Sequence, residues 1–334
     1  MKKTLIILSL LILLFGIYSC ETDVDIVADY EEITIVYGLL SVDDPTTYLR
    51  INKAFLGDGN ALLMAKVPDS SNFLHQLDVS IEEMDGNIVK EMYPFTIDTI
   101  YNKDTGIFYN KYQIIYKADI AINDDYKYKL KIENNDSIIS AETEIVHDFS
   151  IKKPSSGSHY VKFAPDFNSE VQWVTSKNGK RYEGKIIFHF KEKEYNSQNT
   201  ISRSIIWSLG SEKSTNTSGG YEMEFTISNN YFYELLKNNI PYSDVQKENN
   251  VEYRLADSID FIVTAGGDEL NTYLEVNEPS YSIVQDKPEY TNITNGIGIF
   301  SSRKNEIRRK LIHPETKMVI VNLNIKFVTT PPTK

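Results

Sequence analysis

Tyr126-Lys127-Tyr128-Lys129-Leu130-Lys131-Ile132 alternates without a break: Tyr126, Tyr128, Leu130 and Ile132 fall on one face of an extended chain and three lysines on the other. A period of two marks a strand half-buried in an antiparallel sheet, with one face on a core and one in water. Glu133-Asn134-Asn135-Asp136 then turns the chain into Ser137 to Ile145, its expected partner. Upstream, Asp78 to Met84 and Ile88 to Tyr93 flank Asp85-Gly86-Asn87. Asp-Gly supplies the left-handed backbone that tight hairpins need. Gln113 to Ala118, Glu32 to Leu40 and Thr47 to Phe55 read as further strands, the first of these stretches in the chain being stopped by Asp43-Asp44-Pro45. Leu56-Gly57-Asp58-Gly59-Asn60 is a loop, and Ala61 to Lys66 suits a short helix before Pro68.

Downstream the pattern stays β-dominated. Tyr182 to Phe190, Ile201 to Leu209, Tyr221 to Ile227, Ser258 to Ala265 and Lys317 to Phe327 are strand candidates. One helix is expected between them: Ser228 caps it, Phe232, Leu235 and Leu236 form its apolar face, and Pro241 ends it. Gly210 to Gly220 reads as an exposed hairpin loop and Thr329 to Lys334 as a loose tail. Lys153-Pro154-Ser155-Ser156-Gly157-Ser158 has linker composition. The expectation is an all-β chain in two β-rich domains. An immunoglobulin-like β-sandwich takes 31–152, a linker 153–158, and a β-rich C-terminal domain with one or two short helices 159–328.

The N-terminus has a different character. Lys2 and Lys3 precede an apolar run from Leu5 to Phe15 interrupted by Ser9, and Ile17-Tyr18-Ser19 leads into Cys20, the sole cysteine. The run is shorter than the roughly 20 apolar residues of a spanning helix and fits a signal peptide. The expectation is a signal peptide over 1–19, lipidation at Cys20 and a tether over 20–30. A secreted protein with an incidental cysteine, or an uncleaved anchor, are the alternatives. Glu21-Thr22-Asp23-Val24-Asp25 suits either a surface-export signal or a plain polar tether.

With one cysteine there is no internal disulfide, so stability must come from packing. The 334 residues suffice for a large core and two domains. The net charge of −12 repels phosphate backbones, so nucleic acid is not an expected partner. Tyrosine is abundant, 22 residues against two tryptophans, which suits strands and also contact surfaces for glycan or protein.

Ile35 to Leu40 ahead of Tyr48-Leu49-Arg50-Ile51-Asn52-Lys53-Ala54-Phe55, and Tyr290-Thr291-Asn292-Ile293-Thr294-Asn295-Gly296-Ile297-Gly298-Ile299-Phe300 near the end, form two distinctive stretches. With the lipoprotein-like start they resemble an uncharacterised family of Bacteroidota surface lipoproteins. Members of that family have an N-terminal β-sandwich and a C-terminal motif N-I-x-x-G-[ILV]-G-[ILV]-F, here Asn292, Ile293, Gly296, Gly298 and Phe300. The resemblance covers most of the chain after Cys20. It implies no catalytic residues, and it implies a companion of TonB-dependent outer-membrane transporters.

Catalytic and ligand motifs are sparse. Gly296-Ile297-Gly298 lacks the third glycine and the strand-to-helix setting of a dinucleotide site and reads as a tight turn approaching other backbone closely. His75, His147, His159, His189 and His313 are scattered, so zinc has no support, and no Gly-x-Ser-x-Gly elbow occurs. His189, between Phe188 and Phe190, is expected to face solvent or a polar partner. Glu192 and Glu194 form one of many carboxylate pairs. Asp58 with Asn60, and Asn123-Asp124-Asp125, are turns with a weak calcium alternative. Asp98-Thr99-Ile100, Asp136-Ser137-Ile138 and Asp257-Ser258-Ile259 resemble a short glycosylation sequon of Bacteroidota. No metal, cofactor or catalytic residue is expected. The expected function is that of a non-catalytic, surface-exposed outer-membrane lipoprotein. It would bind or scaffold at the envelope beside a transporter, with glycan binding as the sharper variant. An envelope-polymer hydrolase and an adhesion or fibre subunit are the competing classes.

Overall fold

The computed structural model describes residues 32–55, 60–101, 103–135, 137–240, 245–278 and 289–332. Among them the chain is mainly strand, in sheets of ten, four and three strands. The first lobe holds β1 (Thr34–Leu40), β2 (Thr46–Lys53), β3 (Asp78–Asp85), β4 (Ile88–Pro94), β5 (Thr96–Tyr101), β6 (Tyr112–Asp119), β7 (Lys127–Asn134) and β8 (Ser137–Glu144), with helical turns at Ala61–Met64 and Pro68–Ser71. The second holds β9 (Ser150–Lys153), β10 (Tyr160–Val161), β11 (Asn168–Val174), β12 (Arg181–Glu194), β13 (Thr200–Lys213), β14 (Glu222–Ser228), β15 (Val251–Gly266), β16 (Gly296–Ile312) and β17 (Phe327–Val328). Its helices are Asn229–Asn239, Val245–Asn250, Asp268–Asn277 and Pro314–Val321.

The first lobe is a β-sandwich. Its β4-β3-β7-β8 sheet covers the β1-β2-β6-β5 end of the long sheet. Tyr128, Leu130 and Ile132 of β7 share a core with Val79 and Ile81 of β3 and with Val36, Leu49 and Ile51 across the sandwich. The alternation of β7 thus does its physical work: the lysines stay wet, where Lys127 and Lys129 meet Glu144 and Glu142 of β8. The β3–β4 hairpin closes through Gly86, whose φ of +61° only glycine adopts without cost.

One strand joins the lobes. The first seven residues of β16 run parallel to β1, Thr34 opposite Gly296 through Leu40 opposite Ser302. From Arg303 on, β16 runs antiparallel to β15, ending with Leu311 opposite Ser258. The long sheet therefore passes unbroken through both lobes in the order β13-β12-β15-β16-β1-β2-β6-β5. This corrects the contiguous division at 152 and 159. Ile293 and Phe300 lie in the first lobe's core, and β9, expected inside the sandwich, pairs with β11 of the second lobe. The physical reason is that a parallel neighbour for β1 needs a long crossover; here the crossover is the rest of the first lobe and most of the second. The expected linker is held as well: Lys310 Nζ donates to the carbonyls of Ser155, Ser156 and Ser158.

In the second lobe, Trp173, Tyr182, Phe188, Phe225, Phe232 and Phe261 build an aromatic core between the long sheet and the β14-β11-β9 sheet. The Asn229–Asn239 helix forms as its pattern predicts: Ser228 Oγ accepts from Tyr231 N, and Phe232 and Leu236 are buried. The expected strand over Lys317 to Phe327 is instead the Pro314–Val321 helix. His313 accepts from Glu315 N, Pro314 occupies the first turn, and these start signals override the β-branched run Val319-Ile320-Val321. The segment Gly210 to Gly220 is not a hairpin, since β13 and β14 lie in different sheets.

Candidate functional site

The motif residues come together as a closure of the sandwich. Gly298 has φ +116°, and a Cβ there would stand 2.0 Å from Val36 O; at Gly296 the same atom would meet Thr34 O at 2.8 Å. These glycines lie in a strand and not in a tight turn, and what they permit is the approach of β16 to β1. Asn292 clamps the strand from the side: Phe300 N donates to its Oδ1 at 3.0 Å and its Nδ2 donates to Phe300 O at 2.6 Å. Thr294 exchanges backbone bonds with Ser140 of β8, and Asn295 Nδ2 donates to Ile138 O at 2.9 Å. The motif therefore stitches both sheets of the sandwich, and its role here is architectural.

The surface so created is the open face of the long sheet. Cross-strand partners share a face, so Ile206, Ile187, Asp260 and Arg309 form one row across β13, β12, β15 and β16. The next row is Ser208, Lys185, Ile262 and Ile307. Ile206 and Ile307 are 59% and 56% exposed, and Leu311 adds to the apolar surface. Arg309 grips Asp260 with two bonds, Nε to Oδ1 at 2.6 Å and Nη2 to Oδ2 at 2.7 Å, while His189 Nε2 lies 2.9 Å from Oδ2. The Arg309 bonds hold the Asp260 carboxyl below its usual range despite burial, with His189 assisting. The same face continues past the Asp268–Asn277 helix, which lies across its middle, to Tyr37 on β1 and Arg50 and Tyr48 on β2. Tyr37 and Arg50 are directly paired, with the Arg50 guanidinium 5.8 Å from the Tyr37 ring centroid. Tyr273 of the helix meets Tyr37 edge-on at 6.3 Å. Burial, then the Tyr37 hydroxyl, pushes the Tyr273 phenol up to about 12.

Ser204 stands opposite His189, which assembles a serine, a histidine and an aspartate that no sequence spacing announced. The arrangement is poorly suited to acyl transfer. Among the described residues no hydrogen bond joins Ser204 to His189, and Asp260 is neutralised by Arg309.

The remaining expectations scatter. Cys20, the tether, Asp58, Asp136 and Pro241 lie outside the described residues. Asn60 caps the Ala61–Met64 turn by accepting from Leu62 N at 2.9 Å. Glu192 is buried and engages Arg254 Nε at 2.9 Å, whose Nη2 meets Glu248 Oε2 at 2.5 Å; Glu192 is a structural counter-ion, not half of a catalytic pair. Asp98 accepts from Thr99 N, and His75 meets Asn134. His147, which sequence spacing did not connect, brings Nδ1 to 3.4 Å from Asp124 Oδ2, and one ligand atom each of Asp124, Asp125 and His147 lies within 4.8 Å of the others. Three such groups are fewer than the six to eight oxygens calcium takes.

No family model matches the chain, and no curated protein matches its sequence. Among solved structures, the C-terminal globular domain of an oligosaccharyltransferase from Pyrococcus abyssi shares 9% identity over 84% of this chain and 49% of that one, at a TM-score of 0.22. CBD12 from CALX1.2 shares 9% over 83% of this chain and 98% of that one at 0.16. The BSP domain of a biofilm associated protein shares 8% over 84% and 58% at 0.15. This chain spans about half the length of the oligosaccharyltransferase domain, 49% of it.

Proposed function

We propose that this protein is a non-catalytic lipoprotein held at the outer membrane, on its outer face, through Cys20, and that it binds or scaffolds at the envelope as an accessory to a TonB-dependent transporter. The observation that carries the binding role is the open face of the long sheet. On the second-lobe side of the Asp268–Asn277 helix that face is one platform, and it leaves Ile206, Ile307 and Leu311 in water beside Arg309. Isolated exposed apolar residues are ordinary, but aligned ones on a rigid sheet suit a protein partner. The resemblance around Cys20 and the Asn292-to-Phe300 motif supports the envelope setting.

The test is affinity purification from native membranes with photo-crosslinkers at Ile307 or Ile206, against controls on the β4-β3-β7-β8 sheet. Recovery of a transporter through the open face supports the reading; a clean monomer from every position sinks it. Palmitate labelling of wild type but not of Cys20→Ser tests the anchor. A glycan-binding reading has its own observation, the exposed Tyr37 and Tyr48 flanking Arg50 on adjoining strands. Tyr48→Ala and Tyr37→Ala abolishing retention on a glycan array would favour it.

A further inference from the structure

We propose that the pocket beneath the Asp268–Asn277 helix binds a small apolar monocarboxylate, with the carboxylate held between the Arg181 and Arg303 guanidiniums and the apolar body against Leu39, Leu270 and Leu274. The inference does not depend on the membrane anchor or on the partner proposed above.

The sheet register builds the site. Arg181 on β12 lies opposite Gly266 on β15, and Gly266 lies opposite Arg303 on β16. Two arginines therefore flank a position with no side chain, on the same face and about 10 Å apart at their Cα atoms by ordinary strand spacing. Glycine inside a strand often marks a close approach of ligand or backbone. The helix roofs this row, with Leu270 against Gly266. Below it lies a cavity of about 250 Å³ lined by Leu39, Leu270, Leu274, Arg181, Arg303 and Glu183.

The charges inside have carboxylate partners, but the guanidinium donors are incompletely hydrogen-bonded. Arg181 is 11% exposed at its side chain. Its Nη2 meets Glu278 Oε1 at 2.8 Å and its Nε stands 3.6 Å from Glu183 Oε1, an ion pair too long for a hydrogen bond, so that Nε and Nη1 are buried without a hydrogen-bond partner among the described residues. The Arg303 Nε is in the same position, and its Nη2 reaches Asp44 only at 3.5 Å. Buried donors left without acceptors cost free energy, and a carboxylate matches the guanidinium fork. Glu183 and Glu278 at the rim disfavour a dianion such as a phosphate monoester. A 150 Å³ cavity takes benzene, so the volume suits roughly ten non-hydrogen atoms.

Calorimetric titration of the purified full chain with hexanoate and with phenylacetate tests this, with hexanamide and inorganic phosphate as controls. The expected result is a Kd between about 10 µM and 1 mM for the acids, and binding of both controls about tenfold weaker or worse. Leu274→Trp fills the cavity and leaves both arginines, and should remove binding with unchanged circular dichroism. Arg303→Gln, at a half-exposed position that tolerates change, should weaken the acids about tenfold without affecting hexanamide. No heat from either acid at 10 mM, on the order of the weakest binding worth the name, would overturn the proposal. So would equal binding of acid and amide, equal binding of phosphate, or Leu274→Trp binding as tightly as wild type.

Discussion

Gly298 and Gly86 both hold positive φ, yet they should respond differently to a methyl group. At Gly86, φ +61°, an added Cβ meets nothing within 4 Å, so Gly86→Ala pays only the left-handed strain of about 1 kcal/mol. At Gly298 the same strain is joined by overlap with Val36 O at 2.0 Å. Gly298→Ala must push β16 off β1 and should cost more than about 3 kcal/mol. Urea midpoints at constant slope distinguish the two; equal shifts would mean that β16 does not approach β1 as closely as described. Asp260 sets a second residue-scale expectation. Its folded pKa is lowered, chiefly by the Arg309 bonds. Its contribution is therefore full above the unfolded carboxyl value near 3.9 and fades as pH falls through the folded value. Asp260→Asn should lose about 1–3 kcal/mol at pH 7, and its stability should converge with wild type as the pH falls through the lowered folded value. A gap that persists unchanged in acid would assign the loss to packing.

At the scale of elements, the buried group on β12 and β15 makes the sharpest case. Arg254 has no exposed surface and is enclosed by Glu192, Glu248 and the Ile325 carbonyl. Arg254→Met leaves the two carboxylates without their main cation and should cost about 3–5 kcal/mol; adding Glu192→Leu should recover part of it, because an apolar pair tolerates burial that a lone charge does not. If the double variant is no better than the single one, shape and not charge governs the site. The same strands show which elements are readable from sequence. β7, the Gly86 hairpin and the Asn229–Asn239 helix rest on signals within a dozen residues: alternation, a turn dipeptide, a cap. β16 rests on none. Its first half looks like a glycine turn because the residue that demands the glycines, Val36, is far away in sequence. Its second half, Arg303 to Lys310, carries no apolar alternation, and the groups that receive its cations, Asp43, Asp260 and the Ser155 and Ser158 carbonyls, are equally distant. The His189 environment and the Arg181–Gly266–Arg303 row were illegible for the same reason: register, not spacing, assembles them.

For the molecule as a whole, sharing a strand should make the two lobes one unfolding unit. Chains of this length ordinarily unfold in steps, lobe by lobe. Here the first lobe cannot open without stripping Phe300 and Ile293 from its core and the Ser301–Ser302 stretch from its contacts with Glu269, Glu144 and Val146. What would remain is a half-exposed β16 whose other half carries the edge of the β15 ladder. Both tryptophans, Trp173 and Trp207, report on the second lobe, so a substitution confined to the first lobe gives a clean test. Leu130→Ala, in the first core and with no exposed surface, should cost about 2–5 kcal/mol. The tryptophan-detected urea midpoint should then fall together with the midpoint from far-ultraviolet circular dichroism. If fluorescence holds at the wild-type midpoint while dichroism moves, the lobes unfold separately and the shared strand is only a hinge. Deleting residues from 290 onward should be worse than removing a tail, leaving both lobes unable to fold, since it takes a central strand from one sheet that serves two cores.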